Sequence, residues 1–266
     1  MTKPKLSDLW TPAESIEYPT RWNVGLWGPG GGGKSHVIVN TCPGPVLIAN
    51  FDRDISALVK KSGRKDIYVA NLHTEGLVLT DKRAEELVER FQKALEEAVA
   101  MGCGTFAVDG GSSFHHVLEA LELSRLNADQ RRRAAKGKKG EQYEKLPALH
   151  RGGINAQMNA MFASISNSPV NFAITHQQRE IWDETGKPTG VFEPRENSQV
   201  EYGVDMEVRI FSAWQSAGRD PKTKQPMPKM LKHYGRISAC KHNESAIDTK
   251  IENPTWEFLT GLMELD

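Results

Sequence analysis

Apolar residues along this chain fall into short unbroken runs, separated by polar stretches in which apolar positions recur at helical spacing. That alternation builds a mainly parallel sheet covered by helices on both faces. The runs Asn23-Val24-Gly25-Leu26-Trp27, 45–50, 66–71, 105–109 and 170–175 read as buried strands. Between positions 82 and 101, Ala84, Leu87, Val88, Phe91, Leu95, Ala98 and Val99 recur every three or four residues, predicting one amphipathic helix that stops at Gly102. A short helix is predicted over 35–40, stopped by Cys42-Pro43-Gly44-Pro45, and another where Ile154, Met158, Met161, Phe162 and Ile165 restore the helical period. Strands over 204–211 and 235–240 follow, then a terminal helix with Pro254 as its first residue.

Two stretches break the pattern and are expected to be inserted loops. Residues 125–150 carry eight cations against three acids, and 178–199 are polar around the turn signal Asp183-Glu184-Thr185-Gly186-Lys187-Pro188. A second turn is expected over 220–228. The organisation expected is a polar extension over 1–21 and one α/β domain over 22–266. Trp10 and Tyr18 in the extension either pack on the body or stack on a base.

The junction after the first strand carries the chemistry. Gly28-Pro29-Gly30-Gly31-Gly32-Gly33-Lys34-Ser35 fits a phosphate-binding loop, with a strand before it and a helix after it as that motif requires. Its backbone N–H groups would close on phosphate oxygens, Lys34 would neutralise the β and γ phosphates, and Ser35 would hold Mg²⁺. His36 follows directly and joins the expected nucleotide contacts. The cofactors expected are therefore ATP and Mg²⁺.

Triphosphate chemistry also needs a carboxylate for the metal and a group to orient water. Asp109 ends an apolar strand 75 residues after Lys34 and is either the Mg²⁺ carboxylate or the cap of the turn at Gly110-Gly111-Ser112. Asp52 or its rival Asp54 is placed to orient water, unless both merely cap a helix. Thr175 and His176, at the tip of another strand, are candidates to sense the γ phosphate. Lys241 either reaches a neighbouring subunit's nucleotide or is solvated.

Composition narrows the partners. The chain has 34 basic and 34 acidic residues, so any nucleic-acid contact must come from a local patch. Arg131, Arg132, Arg133, Lys136, Lys138 and Lys139 form one such patch, read either as a phosphate grip or as a solvated loop. Arg179, Trp182, Phe192 and Arg195 mix cations with rings in a way that suits base stacking on a single strand, or an idle surface hairpin. Cys42, Cys103 and Cys240 lie far apart, which argues against a disulfide framework and for a reducing compartment. His115-His116 and His150 lack metal-ligand spacing, so no metal beyond Mg²⁺ is expected. No run is long and apolar enough for a signal core or a membrane span, which points to the cytoplasm.

The order of these pieces over about residues 22–260 resembles the RecA-like ATPase core, and specifically the phage-encoded RecA-like single-strand annealing and recombination ATPases of the AAA ATP-binding type. Gly28 to Ser35 matches the phosphate loop, 46–52 the strand leading to the catalytic acid, and 106–109 the Walker B strand. Phe172-Ala173-Ile174-Thr175-His176-Gln177-Gln178-Arg179 resembles the strand and sensor before the second DNA-binding loop. The resemblance implies an ATPase, two loops near 125–150 and 178–199 that bind single-stranded DNA, a homo-oligomeric ring or filament, and recombination or replication partners of a phage. Asp52 and His176 stand where that family commonly has Glu and Gln, which implies hydrolysis that is slow or absent. Two other classes share the phosphate loop: a kinase of a small acceptor using the arginine-rich stretch as a lid, and a non-hydrolysing nucleotide-gated loader.

Overall fold

The computed structural model of this protein describes residues 21–73, 79–195, 198–215 and 229–264. The expectations at Trp10, Tyr18 and the 220–228 turn lie outside the described residues. Six parallel strands form the body of one sheet: β1 (Asn23–Gly28), β2 (Val46–Asn50), β3 (Ile67–Asn71), β4 (Thr105–Asp109), β5 (Asn171–Trp182) and, after β6 (Pro188–Pro194), β7 (Met206–Gln215). They lie in the order β3-β2-β4-β5-β1-β7, extended antiparallel by β8 (Met230–Cys240) and β9 (Lys250–Glu252). The expected α/β class with a mainly parallel, helix-covered sheet is therefore the architecture found.

Successive side chains of a strand point to opposite faces, and the core divides accordingly. On one face Val24, Leu26, Val46, Ile48, Ala107 and Ala173 pack under α1 (Lys34–Thr41), α2 (Ser56–Ser62) and the C-terminal α7 (Trp256–Met263). On the other, Ala49, Phe106, Val108, Phe172 and Ile174 pack under α3 (Asp81–Met101), α4 (Gly111–Ala135), α5 (Gly152–Ser166) and the short α6 (Ser198–Gly203). The apolar stripe of α3 is the one its spacing predicts, capped by the Thr80 side chain at its start and by Gly102 in the left-handed region at its end.

Three expectations need correction. Residues 125–135 are not loop: α4 continues through them, and only 136–147 connect to the next helical turn. Its core-facing residues end at Leu121, after which Gln130 alone is buried, and the returning segment bonds to it through Asn127 Nδ2 to the Tyr143 carbonyl (2.9 Å) and the Glu141 amide to Gln130 Oε1 (3.3 Å). A helix with no core on its distal half shows no apolar period, which is why the pattern carries no helix signal there. Residues 178–194 likewise form a β-hairpin, because β5 runs on past the sheet and pairs antiparallel with β6. At the start of α7 the cap is Thr255, whose hydroxyl accepts from the Phe258 amide (3.3 Å), so Pro254 stands just outside the helix rather than at its first position.

Candidate functional site

The phosphate loop turns between the end of β1 and the start of α1. Gly28 holds φ at +149°, and a Cβ there would sit 2.0 Å from the Ile210 carbonyl oxygen of β7. Gly33 holds φ at +107°, and a Cβ there would sit 2.8 Å from His233 Nδ1. No side chain caps α1, so its first-turn N–H groups are left for an anion. Lys34 curls back over the loop and donates from Nζ to the carbonyls of Gly28 (3.0 Å) and Pro29 (2.9 Å). Burial pulls its pKa down, while Asp109 and then Asp52 pull it up.

Asp109 is buried at the end of β4 on the same sheet face as α1. Thr175 donates to its Oδ1 (2.8 Å) and accepts from the Gly110 amide (2.8 Å), while the Ser35 hydroxyl bonds it from α1. Burial raises the Asp109 carboxyl well above its ordinary range, against the hydrogen bonds that favour the charged form. A buried carboxylate beside a hydroxyl is a hard-oxygen donor pair suited to Mg²⁺, whose charge would offset that desolvation.

A cleft of about 390 Å³ gathers Gly30, Gly31, Gly32, Gly33, Lys34, Ser35, His36, Asp52, Asp109 and Gln177. The rival acids Asp52 and Asp54 both line this cleft and differ in what they bond to. Asp54 accepts from the Ser56 amide (2.8 Å) at the start of α2, whereas Asp52 is half-buried and close enough to Lys34 and Asp109 to act on both electrostatically.

His176 is placed elsewhere. Strand alternation sends Thr175 and Gln177 to the cleft and His176 to the opposite face, where its ring packs on Gly111, 2.6 Å from where a Cβ would stand. Burial first, and then the nearby His115, push its pKa down to about 3, so it is neutral at physiological pH. Gln177, one residue on, is the polar side chain at the tip of β5 that lines the cleft. The Gln177 backbone N–H donates to Ser112 Oγ (3.1 Å), which donates to the Arg195 carbonyl (2.6 Å), and the Arg195 backbone N–H donates back to the Gln177 backbone carbonyl (2.7 Å).

Behind that bonded wall lies a larger cavity of about 710 Å³, lined by His115, His116 and Glu119 of α4, Arg151, and Arg179 and Arg195 of the hairpin. Arg179 pairs with Glu193 across the hairpin (2.6 Å), and the Arg195 guanidinium stands 3.3 Å from His116 Nε2. Phe192 is not a free stacking ring: Arg209 lies 5.2 Å over it and 5.4 Å over Trp27, tying the hairpin to the sheet. Trp182 at the tip is 61 % exposed.

Arg131, Arg132 and Arg133 occupy the last turns of α4, and Lys136, Lys138 and Lys139 the connection after it, all exposed. Arg131 is 20 residues along from Gly111, or about 30 Å of helix from the cleft. Lys241 donates to the Tyr202 carbonyl of its own chain (2.6 Å). Two residues that touch the loop carry no mark in the sequence. Ser212 of β7 donates to the Gly32 carbonyl (3.2 Å), and His233 of β8 stands 3.1 Å from the same oxygen and stacks on His36 at 5.8 Å, so these strands clasp the loop from the side. Burial, and then His233, hold the His36 pKa down. Only long-range pairing brings them there, and no local signal marks it.

No protein-family model matches the chain, and no curated protein matches it. Among solved structures, one similar chain is a KaiC-like protein from the hyperthermophilic archaeon Pyrococcus horikoshii OT3, with a TM-score of 0.44 and 10% identity over 87% of this chain and 84% of that one. Among the described residues, no helix is long and apolar enough to cross a membrane.

Proposed function

We propose that this protein binds ATP with Mg²⁺ in the cleft above the phosphate loop, hydrolyses it, and engages single-stranded DNA through the cation-bearing arms beside the sheet. The observation that carries the reading is the convergence of Lys34, Ser35, Asp52 and Asp109, from three separate elements, on one cleft at the carboxyl ends of the parallel strands.

Lys34 leaves the loop carbonyls for the β and γ phosphates, and the loop amides close around the same anion. Ser35 and Asp109 would hold the metal, which when bound would neutralise charge on the phosphate oxygens. Asp52 orients the attacking water and accepts its proton, and Gln177 rather than His176 hydrogen-bonds the γ phosphate. Exposed cations at the end of α4 and exposed Trp182 support the DNA-binding part. The resemblance of the motif order supports assembly into a ring or filament and a role in phage recombination or replication.

Lys34→Ala should abolish ATP binding measured by calorimetry. Nucleotide affinity equal to the parent's would remove the assignment. In the same preparation, free phosphate release should rise when single-stranded DNA is added; a phosphorylated small acceptor instead would identify a kinase.

A further inference from the structure

We propose that His115, His116 and Glu119 form a second metal site, for a first-row divalent ion such as Zn²⁺, on the wall of the larger cavity and separate from the Mg²⁺ site. Two adjacent histidines carry no metal signature in sequence. The helix supplies the third donor: at 100° per residue Glu119 lies about 40° from His115 and about 60° from His116, between the two around the axis of α4.

The donor atoms are already gathered. Glu119 Oε2 stands 3.1 Å from His116 Nδ1 and 3.8 Å from His115 Nδ1, and all three ligand atoms lie within 4.8 Å of one another. Tetrahedral zinc with bonds of about 2.0–2.1 Å needs its ligands about 3.3–3.4 Å apart, so the two spacings to Glu119 straddle the requirement, and the two imidazole nitrogens, within 4.8 Å of each other, close the rest by side-chain rotation. Two imidazoles and one carboxylate select a transition metal over Mg²⁺, and three protein ligands facing a cavity of about 710 Å³ leave room for an exchangeable fourth.

Arg195 is the competitor. Its guanidinium is 3.3 Å from His116 Nε2, and a metal on Nδ1 would leave the proton on Nε2, so the two donors would oppose each other and Arg195 must turn away. Arg195 directly follows β6 and is bonded through its backbone to Gln177, so metal binding would act on the wall shared with the phosphate cleft.

The test uses full-length, tag-free protein, titrated with Zn²⁺ by calorimetry and with Co²⁺ by visible absorption, with Mg²⁺ in excess. One equivalent should bind, with the intense Co²⁺ bands of four-coordination. His116→Ala and Glu119→Gln should each weaken binding by about 10-fold or more, Arg195→Ala should strengthen it, and Lys34→Ala should leave it unchanged. All four positions are exposed or half-buried, and circular dichroism of each variant checks that it is folded. Failure to bind one equivalent, or binding as strong as the parent's in both His116→Ala and Glu119→Gln, would overturn the site without touching the nucleotide reading. Failure of the parent protein to bind ATP while it still binds Zn²⁺ would do the reverse.

Discussion

Asp109 shows how a single residue's environment sets up a function at a cost in stability. Its carboxyl is buried and its pKa raised, so the folded chain binds that proton more tightly than the unfolded chain does. Its contribution to stability is therefore best at low pH and falls as pH rises from the ordinary carboxylate value through the folded one. Asp109→Asn removes that penalty. The nucleotide-free variant should melt above the parent at neutral pH, the gain should shrink on acidification toward the ordinary carboxylate range, and Mg²⁺-dependent nucleotide binding should be lost. A lower melting temperature at neutral pH would show that the buried charge is better compensated than its surroundings imply. Thr175 serves the same residue from β5. Thr175→Val leaves the Gly110 amide without its acceptor and Asp109 with Ser35 but without Thr175 as a donor, a loss of about 1–3 kcal/mol, read as a drop of about 2–4 °C per kcal/mol in a thermal scan.

At the scale of elements, what could be read from sequence is what a local period encodes. The stripe on α3 and the loop between β1 and α1 are written in neighbouring residues, and so is the carboxylate at the end of β4. The distal half of α4 is not, because it faces solvent and the returning loop rather than the core, and neither is the clasp of Ser212 and His233, which depends on β7 and β8 lying beside β1. The placement of His176 away from the cleft has a different cause: strand alternation from Thr175, the partner of Asp109, already points the next residue to the other face and returns Gln177 to the cleft. The glycines of the loop divide in the same way. Gly28→Ala forces a Cβ against the Ile210 carbonyl of β7, whose pairing with β1 cannot yield without moving the sheet, and should cost about 1–3 kcal/mol or more. Gly30→Ala meets nothing within 4 Å and should leave the melting temperature within error of the parent. Equal destabilisation by the two substitutions would mean that the loop, and not its contact with β7, limits stability.

For the whole molecule, charge distribution matters more than total charge. The chain is neutral overall, yet α4 carries Arg131, Arg132 and Arg133 out beyond the last of its core contacts, and the β5–β6 hairpin sets Trp182 outside the sheet. Exposed cations contribute little to folding: Arg132 has an ion pair to Asp129 at 3.2 Å, but both side chains are mostly solvated. Neutralising all three arginines to Gln should therefore leave the thermal midpoint unchanged while weakening single-stranded DNA binding. Each phosphate contact released contributes about 0.7 to the slope of log affinity against log salt, so loss of three should flatten that slope by about 2. This outcome separates a backbone grip from a merely solvated helix end, because a general loss of folding would lower affinity at every salt concentration without changing its dependence on salt. If affinity and slope both match the parent, the arm at the end of α4 takes no part in binding, and the DNA contact must be sought on the hairpin.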